Sequence, residues 1–230
     1  MFVSQKMKTK VITTTKQMSL EDASRLMTRY GVRHLPVMEE DICGVNRLVG
    51  IMTYSDILRA LPSQTSTLEF HEAKYLFSLL KVGEVMPKNQ EIITIHPEDG
   101  VEEAALLMRS YKISSLPVVD AQGDLIGIIT DSDILDAFVT LLGVRTDGCR
   151  ITVNFIDRPG VVADITDAVN KLNINITRMV LLMAEKRDET CQIIIRIQSN
   201  DPTALVKEIG RRGYEAEVTD LTMMRKRLSK

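Results

Sequence analysis

Apolar and polar positions along this chain fall into two blocks that read alike. In the first, the β-branched run Val11–Thr15 predicts a short strand, and Leu20, Ala23, Met27 and Tyr30 then recur at helical spacing. In the second, Ile92–Ile95 predicts the strand, and Val101, Ala104, Met108 and Tyr111 mark the helix. Each block continues into a strand through "YGVRHLPV" (Tyr30–Val37) or "YKISSLPV" (Tyr111–Val118). After a turn comes a second strand, "LVGIMT" (Leu48–Thr53) or "LIGIIT" (Leu125–Thr130). A closing helix opens at "SDIL", where Ser and Asp suit a helix N-terminus. The order is β–α–β–β–α, twice. A unit of this size buries too little surface to stand alone, so the two are expected to pack together.

The third block is different. Ile151, Val153 and Phe155 alternate as in a strand, "DRPG" (Asp157–Gly160) is a turn, and Val162, Ile165, Val169 and Leu172 mark a helix. Ile174–Ala184 and Cys191–Gln198 read as two strands, Pro202–Gly213 as a helix with Pro at its start and Gly at its end, and "YEAEVTDL" as a last strand. That is the ferredoxin-like order βαββαβ. Between the first two blocks, Phe70, Ala73, Phe77 and Leu80 give an amphipathic helix over residues 68–81. Its expected role is to cover the repeat pair or a second copy. The fold class is therefore α+β. The expected segments are 1–66 and 83–142 for the repeats, 67–82 for the connecting helix, 148–222 for the third domain and 223–230 for a basic tail.

Composition removes several function classes. The 230 residues carry a formal net charge of -2 and 4% aromatics with no Trp, which gives neither charge nor stacking surface for nucleic acid. No apolar run is long enough to cross a membrane, and the N-terminus lacks a signal-peptide core, so a cytoplasmic location is expected. Cys43, Cys149 and Cys191 have no metal-ligand spacing, nor do His34, His71 and His96. Phosphate-loop, dinucleotide and nucleophile-elbow motifs are absent, and so is any nucleophile–base–orienter set. No catalytic residue, catalytic cofactor or metal site is expected.

The chemistry lies in the repeated stretch. "GIMTYSDIL" (Gly50–Leu58) and "GIITDSDIL" (Gly127–Leu135) agree at seven of nine positions. A strand Gly permits close approach of another group. Thr and Ser hydroxyls beside free helix N–H groups suit a phosphate, and a carboxylate can accept from the hydroxyls of a ribose. The alternative is simple N-capping by Ser and Asp.

The pattern G-x-x-T-x-S-D, preceded by LPV and present twice, resembles a tandem pair of cystathionine-β-synthase (CBS) domains. "FIDRPGVVADI" followed by "NINI" resembles an ACT domain, a small-molecule-sensing fold. The whole order, over residues 1 to about 222, is similar to bacterial acetoin-utilisation-type CBS–ACT proteins. The resemblance implies an adenine nucleotide (AMP, ADP or ATP) or S-adenosylmethionine as a regulatory ligand of the pair. It implies Asp56 and Asp133 for ribose, Thr53, Ser55, Thr130 and Ser132 for phosphate, and Thr13 and Thr94 for adenine. Pro36 and Pro117 belong to the same motifs. The residues before LPV are implied to meet phosphate when basic: Arg33 and His34 stand there in the first repeat, and the uncharged Ser114 and Ser115 in the second, with Ser115 included among the nucleotide-binding residues. That difference predicts more phosphate in the pocket that Arg33 and His34 face, against readings of Arg33 as a solvated strand residue and His34 as a surface histidine. In the third domain the resemblance points to Asp157, Gly160 and Val162 for an effector, with Asn175 opposite, across a homodimer; the alternative for Asp157 is a plain turn residue. The expected role is a ligand-sensing regulator of a target protein. A purely structural dimerisation module and a small hydrolytic enzyme are the alternatives.

Overall fold

The computed structural model describes residues 1–60, 78–87, 91–144, 148–184 and 190–219. The connecting helix falls mostly outside these residues, and the basic tail falls wholly outside them. The chain divides into two compact units, Met1–Ala137 and Phe138–Lys230.

The first unit holds both repeats. The first repeat runs β1 (Thr14–Thr15), α1 (Leu20–Tyr30), β2 (His34–Glu40), β3 (Asn46–Thr53) and α2 (Tyr54–Ala60). Ser19 caps α1 by accepting from Asp22 N, and Gly31 ends it in the left-handed conformation, as the sequence pattern requires. After a short helix α3 (Val82–Val85), the second repeat has α4 (Val101–Tyr111), β4 (Ser115–Val119), β5 (Leu125–Thr130) and α5 (Asp131–Leu141). β2 pairs antiparallel with β3, and β4 with β5. The expected first strands are much shorter than their β-branched runs. Only Thr14 and Thr15 join β2, and the second repeat has a single bridge, Ile95 to Val118. Both contacts fall where the partner strand bulges, at Val37/Met38 and Val118/Val119, and a bulge bends the edge away from further pairing.

Neither repeat completes its core from its own block. Val82 and Met86, which precede the second repeat, are buried among Leu20, Met27, Leu35 and Met52 of the first. Val3, on the N-terminal side of β1, is buried among Val101, Leu116, Val118 and Ile129 of the second. The backbone follows the same exchange. Leu20 N donates to Leu80 O and Val82 N to Met18 O, while Val101 N donates to Met1 O and Val3 N to Asp99 O, all at 2.9 Å. The sequence reading missed this use of the N-terminus.

The exchange also explains Gly127. Lys8 pairs with Ile128 on the edge of β5. A Cβ on Gly127 would stand 2.7 Å from Met7 Sδ and 3.3 Å from Lys8 O. The close approach read from this glycine is thus made by the chain's own N-terminal segment.

The second unit is βαββαβ: β6 (Cys149–Ile156), α6 (Val161–Lys171), β7 (Ile176–Leu182), β8 (Thr190–Ile197), α7 (Thr203–Arg211) and β9 (Glu215–Thr219). The sheet order β7-β8-β6-β9 puts the first and third strands in the centre, the ferredoxin-like arrangement. Alternate residues Ile151, Val153 and Phe155 of β6 and Ile193, Ile195 and Ile197 of β8 face Ile165, Val169, Leu205 and Ile209 of the two helices.

Gly127→Val should destabilise the protein by about 1–3 kcal/mol, the usual cost of overpacking. Denaturant unfolding checks this. Adding Met7→Ala should recover part of the loss, because the nearest obstacle is the Met7 side chain.

Candidate functional site

The repeated Thr-x-Ser-Asp string closes on itself at each strand-to-helix junction. At the first, Thr53 N and Thr53 Oγ1 both donate to Asp56 Oδ2, at 2.8 and 2.6 Å, and Asp56 N donates back to Thr53 Oγ1 at 3.2 Å. This is a reciprocal capping box. At the second, Thr130 N and Oγ1 donate to Asp133 Oδ2 at 2.9 and 2.6 Å. Thr, not Ser, is thus the capping partner of Asp, which corrects the capping alternative. Ser55 and Ser132 are left to line cavities.

Capping uses one carboxylate oxygen, so the other is the one available to a ligand. Oδ1 of Asp56 takes Arg59 Nη2 at 2.6 Å, and Oδ1 of Asp133 has Lys8 Nζ at 3.4 Å. Both cations are more than half exposed, whereas Asp56 is nearly buried. A hydroxyl donor can therefore replace either cation without dismantling the cap.

Two cavities of unequal size flank these junctions. The larger, about 430 Å³, takes Thr53, Ser55 and Asp56 from the first repeat and Lys112, Ser114 and Ser115 from the second. Arg33, His34, Arg59 and Asp131 also line it. The smaller, about 110 Å³, joins Thr130 and Ser132 to Gly31, Arg33, His34 and Lys8. Only the larger falls within the usual range for small-molecule sites, roughly 300–1,000 Å³. Lys8 lines the smaller one and belongs to the segment that crosses Gly127.

Arg33 and His34 line both cavities, so they do not distinguish them as the sequence comparison suggested. His34 is not a free surface histidine. Its Nε2 lies 2.8 Å from Ser114 Oγ, so the two residues before LPV-type strands meet across the repeats. Burial lowers the His34 pKa; Asp131 opposes the shift, Arg33 adds to it, and Asp56 opposes it.

Thr13, Thr94, Pro36 and Pro117 line neither cavity. Thr14 points into the core at 2% exposure, which turns Thr13 outward. The two prolines are buried in the β2–β3 and β4–β5 pairs, opposite Ile51 and Ile128. The residues missed were Arg59, Lys112, Lys8 and Asp131. The first two had a signal: aligned repeat against repeat, Arg59 stands where the second repeat has Asp136, and Lys112 where the first has Gly31.

In the second unit, Asp157, Gly160 and Val162 line a cavity of about 470 Å³ with Phe155, Leu181 and Met183. Gly160 adopts φ 95° before α6, and a Cβ there would meet nothing within 4 Å. Asn175 is exposed, donates to Gln198 Oε1 at 3.2 Å, and is not among the residues lining that cavity. Among the described residues, no group of three or more His, Cys, Asp or Glu could hold a metal ion, and no helix is long and apolar enough to cross a membrane.

Comparison with known proteins matches the CBS domain to residues 3–63 and 82–140. A CBS domain-containing protein of Dictyostelium discoideum is 32% identical over 140 residues, 61% of this chain and 92% of the relative. The chain therefore belongs to the CBS-domain family, as a tandem pair. An L-aspartate semialdehyde sulfurtransferase of Methanocaldococcus jannaschii is 32% identical over 127 residues, 55% of this chain. This chain spans only 21% of that relative's length. Among solved structures, a CBS domain pair in complex with 5'-methylthioadenosine and S-adenosylmethionine is 30% identical, with a TM-score of 0.48 over 60% of this chain and 99% of the other. A candidate acetoin utilization protein of Vibrio cholerae is 30% identical, with a TM-score of 0.48 over 63% of this chain and 95% of the other.

The lowered His34 pKa sets a pH dependence. The unfolded chain takes up the proton more readily, near the ordinary value of about 6.5, so neutral burial favours the fold above that pH. This contribution should be lost as pH falls through 6.5 toward the lower folded value. Urea unfolding from pH 8 to 5 should show a steeper loss for wild type than for His34→Gln.

Proposed function

We propose that this protein is a regulatory sensor that binds an adenine nucleotide or a related adenosyl compound, such as S-adenosylmethionine, in its CBS pair and performs no catalysis itself. The observation that carries the reading is the divided duty of Asp56. One oxygen holds the helix cap, and the other is paired with an exposed, replaceable arginine beside a 430 Å³ cavity. In this reading Asp56 accepts from the ribose hydroxyls, Thr53 and Ser55 stand near the first phosphate, and Arg33 supplies charge. Thr130 and Ser132 repeat the arrangement on the wall of the smaller cavity; Asp133 is not on that wall, and Lys8, which pairs with it, must give way before it can accept from a ligand there.

The second unit is read as an ACT domain. The Asp157 carboxylate and the apolar wall of its cavity suit a small amphipathic effector such as an amino acid. Asn175 would reach that site from a second copy, which makes a homodimer part of the reading. Binding would be passed to a target protein, and the two sites would be allosteric partners if both bias one two-state element.

A thermal-shift screen of AMP, ADP, ATP, adenosine and S-adenosylmethionine tests the proposal. A ligand at 100 times its Kd stabilises the native state by about 2.7 kcal/mol, which is readily seen as a rise in Tm. Asp56→Ala should weaken binding in the larger cavity by about 1.5–3 kcal/mol, the range for hydrogen bonds to charged groups. Calorimetric titration measures this, and wild-type affinity in the variant would remove Asp56 from the site.

A further inference from the structure

The two repeats are closely matched around their junctions, so their differences are informative. Two of them add positive charge to the same cavity. Arg59 replaces the acidic Asp136 of the second repeat, and Lys112 replaces the Gly31 of the first. Although the two residues come from different repeats, both line the larger cavity.

Lys112 stands at a costly position. It ends α4 at φ 54°, in the left-handed region, where the matching Gly31 has φ 63°. A side chain with Cβ is disfavoured there and glycine is not. Lys112 is exposed, and among the described residues it is in no ion pair, so neither burial nor pairing accounts for it. What it does have is a place on the cavity wall, beside Ser114 and Ser115.

Arg59 Nη2 donates to Asp56 Oδ1 at 2.6 Å. Its side chain is 74% exposed; Nη2 meets the Asp56 oxygen that the cap does not use, and Nε donates to Ser55 O at 3.3 Å. If a ribose takes that oxygen, Nη2 is freed at the cavity rim while Nε stays on the Ser55 carbonyl, which keeps the guanidinium beside the cavity. The charges lining this cavity are then Arg33, Arg59 and Lys112 against Asp56 and Asp131, and His34 stays neutral above its lowered pKa. The smaller cavity has Arg33 and Lys8 on its wall, and Lys8 is engaged with Asp133.

We infer that the larger cavity selects a nucleoside diphosphate or triphosphate over adenosine and over a cationic sulfonium compound, with Arg59 and Lys112 holding the outer phosphates. The inference rests on the adenosyl-binding reading above and narrows it to one ligand class. A guanidinium grips phosphate bidentately and an ammonium acts as a point charge, so the two contribute separately.

Calorimetric titration of the full chain with ATP, adenosine and S-adenosylmethionine, for wild type, Lys112→Gly and Arg59→Gln, tests it. Wild type should bind ATP more tightly than either other compound. Each variant should lose roughly 5- to 20-fold in ATP affinity, a surface-discounted share of a charge-assisted contact, and keep its adenosine affinity. Lys112→Gly has a second readout. Glycine relieves the left-handed backbone, so Tm without ligand should hold or rise, whereas a merely structural lysine would lower it on removal. Adenosine and ATP bound equally by wild type, a preference for S-adenosylmethionine, or unchanged ATP affinity in both variants would overturn the phosphate assignment and leave the adenosyl reading standing. Failure of wild type to bind all three compounds would overturn both.

Discussion

The exchange of leading segments between the repeats is the constraint on which the rest of the first unit depends. Val3 closes the core of the second repeat, and Val82 and Met86 close that of the first. Each core therefore needs a segment from outside its own block, and the cavities draw residues from both repeats. The N-terminal course over Gly127 brings Lys8 to Asp133 and to the wall of the smaller cavity. Two near-identical motifs thereby acquire different surroundings without any change in the motifs themselves.

Within that frame, Thr53–Asp56 and Thr130–Asp133 do two things with few atoms. The cap satisfies backbone N–H groups that a helix start would otherwise leave open, and it fixes the carboxylate so that its remaining oxygen points to one place. A capped Asp is stiffer than a free one, and a stiff acceptor loses less freedom when it binds. The stabilising contact and the proposed binding contact are thus one arrangement, and this is why the motif could be read either way from sequence.

The helices and the paired strands were legible because apolar spacing is local and was seen twice. The first strands were overread: Val11–Thr15 has the composition of a strand whether or not a partner edge is available, and the bulges at Val37/Met38 and Val118/Val119 leave little edge to join. The segment exchange was not legible, because periodicity carries no information on which distant core a valine enters. Thr53, Ser55 and Asp56, which the sameness of the repeats singles out, line the larger cavity. Arg59 and Lys112 were passed over for the same reason, since attention to shared positions discards the unshared ones. Strand alternation decides the position of Thr13: Thr14 takes the inward place, which leaves Thr13 exposed.

The route of the N-terminus also has a consequence for the order in which the molecule forms as it leaves the ribosome. The first repeat can close once Met86 has been made, but Val3 must wait for Ile134 and Ala137, the last members of its core. At about 5–20 residues per second, the first ten residues remain without their partners for several seconds. During that interval Met1, Val3 and Met7 form an apolar leader attached to a half that has already folded. The core of the second repeat then joins residues from the two ends of the first unit.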